Sequence, residues 1–127
     1  RDALVYRRLT EADAAAFRAL RLMALEECPA AFTSDLSYES RKPNAWFEEI
    51  LRHQYAAGAW DGETLCALAV LECHPEQPKI RHRAYLWGVY VHLAHRGKGL
   101  TKPLLRSVLS LAPDYVERVE LGVHPES

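Results

Sequence analysis

The sequence predicts a single mixed α/β domain in which helices pack on a layered sheet. Three observations lead there. Strand-like and helix-like patterns alternate along the chain. Three strands joined by short turns occupy its middle. A glycine-containing loop then opens directly into an amphipathic helix, and one more strand follows. The chain has 127 residues with 49% apolar content, which suits one domain, 1–127, with a single core.

Residues 4–9 alternate as a short strand, and Thr10 to Asp13 reads as a helix start in which Asp13 reaches back toward the backbone N–H of Thr10. Ala14 to Glu27 then sets Phe17, Leu20, Met23 or Ala24, and Leu25 along one helical face, and Pro29 ends the helix. A polar segment, Thr33 to Pro43, leads to a second helix that Asn44 can cap, with Trp46, Phe47, Ile50 and Leu51 inward. Tyr55 to Trp60 reads as a strand entering an Asp61-Gly62 hairpin turn. Thr64 to Cys73 is its apolar partner, and Arg83 to Val91 is a third strand beyond a second turn at His74 to Lys79. After the loop at His95 to Gly99, Leu100, Leu104, Leu105, Val108, Leu109 and Ala112 share a helical face. Pro103 fits only in that helix's first turn, and Pro113 closes it. Val116 to Val123 is the last strand, with Val119, Leu121 and Val123 on one face. It ends close to Ser127, so a sheet edge is expected to lie open or to be completed by further sequence, and an open edge would permit a homodimer by strand pairing.

Composition narrows the function. Sixteen basic and 17 acidic residues give a net charge of −1, so there is no general attraction to nucleic acid or to an anionic membrane. Any anion site must be local. No apolar run approaches the roughly 20 residues that span a bilayer, and no signal peptide opens the chain. A reducing cytoplasm is the expected location. Cys28, Cys66 and Cys73 have no disulfide or zinc spacing, and no metal is expected. Strand parity predicts Cys66 and Cys73 on opposite faces.

The chemistry concentrates in Tyr85 to Lys102. Glycines remove side chains where a phosphate must approach the backbone, and a helix start presents unpaired N–H groups with a partial positive charge. Arg96, Lys98 and Lys102 add cations at the same place. The spacing is neither that of a P-loop nor the Rossmann Gly-x-Gly-x-x-Gly. A pyrophosphate is the ligand such a loop suits.

Arg96-Gly97-Lys98-Gly99-Leu100-Thr101 resembles the acyl-CoA motif Arg/Gln-x-x-Gly-x-Gly/Ala of the GNAT superfamily of N-acetyltransferases, with Thr101 where Gly or Ala is usual. Trp87 to Val91 resembles the family's central strand, which is splayed from its neighbour to hold the pantetheine arm. The resemblance implies a central, mostly antiparallel twisted sheet flanked by helices, with the family's C-terminal strands missing from a shortened chain. It implies acetyl-CoA as cosubstrate and direct acetyl transfer to a primary amine of a small molecule or peptide. It places cofactor contacts at Val89, Tyr90, Val91, Arg96, Gly97, Lys98, Gly99, Leu100, Thr101 and Lys102. Tyr85 stands where many members carry a glutamate that acts as general base through water, so a non-catalytic acyl-CoA-binding or regulatory domain is the alternative. A nucleic-acid module is a third reading, disfavoured by the charge.

An attacking amine must be neutral, so a proton acceptor is required. Glu72, near the end of the strand beside the central one, is the carboxylate candidate, against a solvent-facing role. Tyr85 is the other catalytic candidate, against simple packing. His82 and His92 flank the central strand, and an imidazole is a usual proton acceptor. Tyr90 suits an acid or a pocket wall. Trp46-Phe47, Glu26-Glu27 and Glu48-Glu49 lie in the arm that shapes the acceptor site in similar proteins.

Overall fold

The computed structural model describes residues 4–27 and 36–121. In chain order these form β1 (Val5–Leu9), a 3-10 turn at Glu11–Asp13, α1 (Ala14–Glu27), α2 (Leu36–Ser40), α3 (Asn44–His53), β2 (Tyr55–Asp61), β3 (Thr64–Cys73), β4 (Arg83–Val91), α4 (Thr101–Leu109) and β5 (Arg118–Leu121). One sheet runs β1-β2-β3-β4-β5. Its first four strands pair antiparallel, and β5 pairs parallel to β4.

Helices cover both faces, which is why β3 is apolar almost throughout, with Leu65 to Leu71 all buried. Leu68 and Val70 pack with Phe17, Leu20, Phe47 and Leu51 under α1 and α3. Ala67, Ala69 and Leu71 point the other way, toward Leu100, Leu104 and Val108 of the α4 layer. Alanines at 57, 59, 67, 69 and 84 line that second face. Their small side chains let α4 lie close to the sheet, and its leucines fill the space.

The helix start at Thr10 forms as expected: its backbone N–H donates to Asp13 Oδ2 at 2.8 Å. Arg7 clasps the same carboxylate at 3.1 Å and, as the largest cause, holds its pKa below the ordinary value. Pro103 sits in the first turn of α4, and the first helical bond there runs from Leu104 N–H to Leu100 C=O at 3.0 Å.

Five expectations need correction. The polar segment before Pro43 contains a helix, α2, giving three helices before β2 rather than two. α2 is too short to stand on its own propensity and is fastened by long-range bonds. Arg18 donates to the carbonyls of Ser40 and Lys42, and Arg21 grips Glu39. Pro43, extended at φ −75°, takes the cap position of α3, so Asn44 is its first helical residue. α4 stops at Leu109 rather than running to Pro113, and Leu111 and Ala112 pack on the α4-side core from the turn beyond. β5 begins at Arg118 rather than Val116, and its Val119 and Leu121 are 37% and 68% exposed. Finally, Leu65 and Leu68 pack in the same cluster although three residues apart, because the β2–β3 register slips where Trp60 meets Leu65 and Ala59 meets Ala67. Cys66 is the extra residue of that bulge, so parity does not carry across it to Cys73. Cys28, Pro29, Thr33 and Val123 lie outside the described residues.

Candidate active site

Two irregularities in β4 build the site. β5 pairs with it only over Arg83–Leu86, so Trp87 to Val91 have no β5 partner among the described residues. On the other side, β4 takes three steps from Tyr90 to Trp87 where β3 takes two from Leu68 to Val70. The extra residue is accommodated at Gly88, φ +68°, a conformation that only glycine adopts without strain. The strand is thereby bent beside the stretch that β5 does not pair among the described residues.

That stretch leads into the loop. Gly97 and Gly99 both take φ +77°, and a Cβ placed on either would meet nothing within 4 Å. The space is open, so what demands glycine there is the backbone conformation. The first turn of α4 follows at once, and its unpaired N–H groups supply a partial positive charge. Lys98, Thr101 and Lys102 are exposed around it, while Leu100 is buried in the α4-side core and anchors the loop to the domain. The walls of this cradle are backbone, and Lys98 and Lys102 make its rim cationic.

Arg96 plays a different part from the lysines. Its Nε donates to Val91 C=O at 2.9 Å, its Nη2 bonds Glu27 at the end of α1, and its guanidinium lies 5.4 Å from the Tyr90 ring centroid. The loop is thus tied to the first helix across 69 residues. Arg96, more than Tyr90, holds the Glu27 carboxyl below the usual carboxylate range. Tyr90 itself is buried.

On the α1–α3 side, a buried ion pair lies beneath the bend. Arg21 Nε and Nη2 grip Glu39 Oε1 and Oε2 at 3.1 and 3.0 Å, and both side chains are about 95% buried. The same guanidinium lies 5.0 Å from the Trp87 ring centroid. Trp87 Nε1 donates to Gln54 at 2.8 Å. Further along this face Glu72 pairs in register with Tyr85, Glu72 Oε2 lies 3.3 Å from His74 Nε2, and the His74 ring meets Tyr85 edge-on with centroids 6.3 Å apart.

The family model described as "Acetyltransferase (GNAT) family" matches residues 17–127. The chain belongs to the GNAT acetyltransferase family. Among solved structures, a ribosomal-protein-alanine N-acetyltransferase from Brucella melitensis biovar Abortus 2308 is 25% identical, with a TM-score of 0.68, 94% of this chain and 80% of that one covered. An acetyltransferase of the GNAT family from Streptococcus pneumoniae superposes with a TM-score of 0.82 at 17% identity, covering 98% and 77%. A predicted acetyltransferase with acetyl-CoA from Clostridium acetobutylicum gives 0.70 at 17%, covering 98% and 83%. No curated protein matches.

Within this GNAT domain, the expected cofactor residues Val89 to Val91 end β4 and Arg96 to Lys102 span the loop and the start of α4, with Tyr90 and Leu100 buried. Arg96 faces Glu27 rather than the open cradle. Glu72 and Tyr85 come together at the opposite end of β4. His92 is a local cap, its Nδ1 accepting from Ala94 N–H at 3.0 Å. His82 contributes its carbonyl, which takes the N–H groups of Glu117 and Arg118 at 2.7 and 3.0 Å. Glu49 pairs with Arg52 and His53 on the exposed side of α3, and Phe47 is core. Burial pushes the Cys66 and Cys73 thiols up, which keeps them protonated and inert. Sequence reasoning missed Arg21, Glu39 and His74. Nothing local marks Arg21 or Glu39 as buried, but His74 follows Glu72 by two residues at a strand end, a spacing that puts both side chains on one side. Among the described residues no helix is long and apolar enough to cross a membrane, and no group of three His, Cys, Asp or Glu is placed to hold a metal.

Proposed function

We propose that this protein is an N-acetyltransferase that moves the acetyl group of acetyl-CoA to a primary amine of a small molecule or peptide. The observation that carries the reading is the bent stretch of β4 at Trp87 to Val91, without a β5 partner among the described residues, leading into the Gly97–Gly99 loop and the α4 N-terminus. Main-chain groups of Val89, Tyr90 and Val91 hold the amide-bearing pantetheine arm as a neighbouring strand would. The loop N–H groups, with Lys98 and Lys102 at the rim, take the pyrophosphate. The thioester then lies toward Leu86, where β4 and β5 meet. The similarity to an N-acetyltransferase of a ribosomal-protein alanine supports an amine as acceptor class.

The test is titration calorimetry with acetyl-CoA, desulfo-CoA and adenosine, on the parent and on Gly97→Val and Gly99→Val. Both CoA compounds should bind saturably and adenosine weakly. Either variant should lose about 10-fold or more in affinity, since a β-branched residue resists positive φ and redirects the N–H groups. Unchanged affinity in both variants would sink the assigned site. Tyr85 at the position of the family's glutamate favours a second reading, a non-catalytic acyl-CoA-binding domain. CoA binding with no acetyl transfer across an amine panel would select it.

A further inference from the structure

We propose that His74 and Glu72 form the proton-accepting pair of the transfer, with His74 taking the amine proton and Glu72 orienting its ring. This rests on the acetyltransferase reading and adds the group that Tyr85 does not supply. Three placements support it. Tyr85 stands where the family's glutamate base is expected, one residue before Leu86, which pairs with Leu121 of β5. Glu72 is the direct register partner of Tyr85, with Val70 and Trp87 as the next pair. Leu71 and Leu86 face α4, so Glu72 and Tyr85 alternate onto the face that carries Trp87 and the α1–α2 arm.

His74 completes the group. Its Nε2 lies 3.3 Å from Glu72 Oε2, and its ring stands edge-on to Tyr85. With Nε2–H donating to Glu72, Nδ1 keeps its lone pair and is the atom that accepts. The His74 side chain is 21% exposed, so a proton received there has a way out to water. Tyr85, between the imidazole and Leu86, serves as the wall that sets the approach of the amine. One N–H bond of the acceptor ammonium breaks, and the proton passes to His74 Nδ1 directly or through one water. The freed lone pair forms the N–C bond at the thioester carbonyl. The C–S bond breaks, its electron pair leaves on the CoA sulfur, and the sulfur takes the second N–H proton. His74 returns its own proton to solvent.

The experiment compares the full chain with His74→Gln and Glu72→Gln, using ethylamine and the weakly basic 2,2,2-trifluoroethylamine as acceptors, with acetyl-CoA binding measured on each protein. His74→Gln should lower kcat/KM for ethylamine by about 100-fold or more, a usual contribution of a general base. For trifluoroethylamine, already neutral near pH 7, the loss should be at least about 10-fold smaller. Glu72→Gln should show the same contrast at reduced size, and acetyl-CoA affinity should stay within about two-fold, since neither residue lines the cradle. Should His74→Gln fail to fold, Glu72→Gln alone decides. An equal loss for both amines would mark the pair as structural and overturn the proposal. So would an undiminished rate, or a parent protein that binds acetyl-CoA and acetylates neither amine. A parent protein that does not bind acetyl-CoA would instead overturn the acetyltransferase reading itself.

Discussion

On the α4 side of the sheet, alanines meet Leu100, Leu104 and Val108 in an interior made of hydrocarbon. On the opposite side, Phe17 and Phe47 share their layer with a buried Arg21–Glu39 pair, and the Glu27–Arg96 clasp and the Trp87–Gln54 bond lie at its margins. The two faces are held by different means. The first is area and volume, which many combinations of apolar residues satisfy. The second depends on particular partners, each of which becomes a cost once the other is removed. It is also the second face that carries Trp87, with Glu72 and Tyr85 further along it. The cofactor strip needs a stable platform, whereas the acceptor side needs named groups held at fixed positions.

The largest effect should come from breaking the buried pair. Arg21→Ala leaves the Glu39 carboxylate inside without its cation, and unfolding in urea should report a loss of about 3–5 kcal/mol. Arg21→Met combined with Glu39→Leu should recover most of that loss while slowing acetyl transfer. If the double variant is no more stable than the single one, the contrast between the faces fails. Next comes Leu104→Ala on the hydrocarbon side, where the cost should be about 2–5 kcal/mol through a cavity. No second substitution of a polar partner should relieve it. The smallest effect is the clasp. The folded-state pKa of Glu27 is depressed, chiefly by Arg96, so its contribution is complete above the ordinary carboxylate range and is lost as pH falls through the depressed value. Acid unfolding of Glu27→Gln should lack that part of the pH dependence. At neutral pH the variant should lie close to the parent, because the pair is partly exposed and solvent screens it.

The same contrast explains what could be read from the sequence. β3 and β4 were legible to the residue, because apolar runs bounded by Asp61-Gly62 and by a proline-rich turn leave little choice. The glycine loop was legible because a positive-φ requirement is written in the residue type itself. α2 was not, since Leu36 to Ser40 looks like loop until Arg21, 18 residues away, is seen to bury Glu39. The partner of Arg96 was hidden for the same reason, Glu27 being far off in sequence. The bulge at Cys66 carries no glycine to announce it. Local chemistry shows in a sequence, whereas pairing between distant polar residues shows only once the chain has folded.

The bend in β4 has one more consequence, for which lengths the strand tolerates. Because it inserts one step, Trp87 and Tyr90 share a face although they are three positions apart. Deleting Val89 would set Trp87 two positions from Tyr90, so ordinary pleating would keep both on the face they now share, and what the strand would lose is its bend. Adding a residue is the opposite case: it would turn the strand's first half over, exchanging Tyr85 and Trp87 for Ala84 and Leu86. Insertions should be admitted in the turn at 74–82 and rejected, even singly, within 87–91.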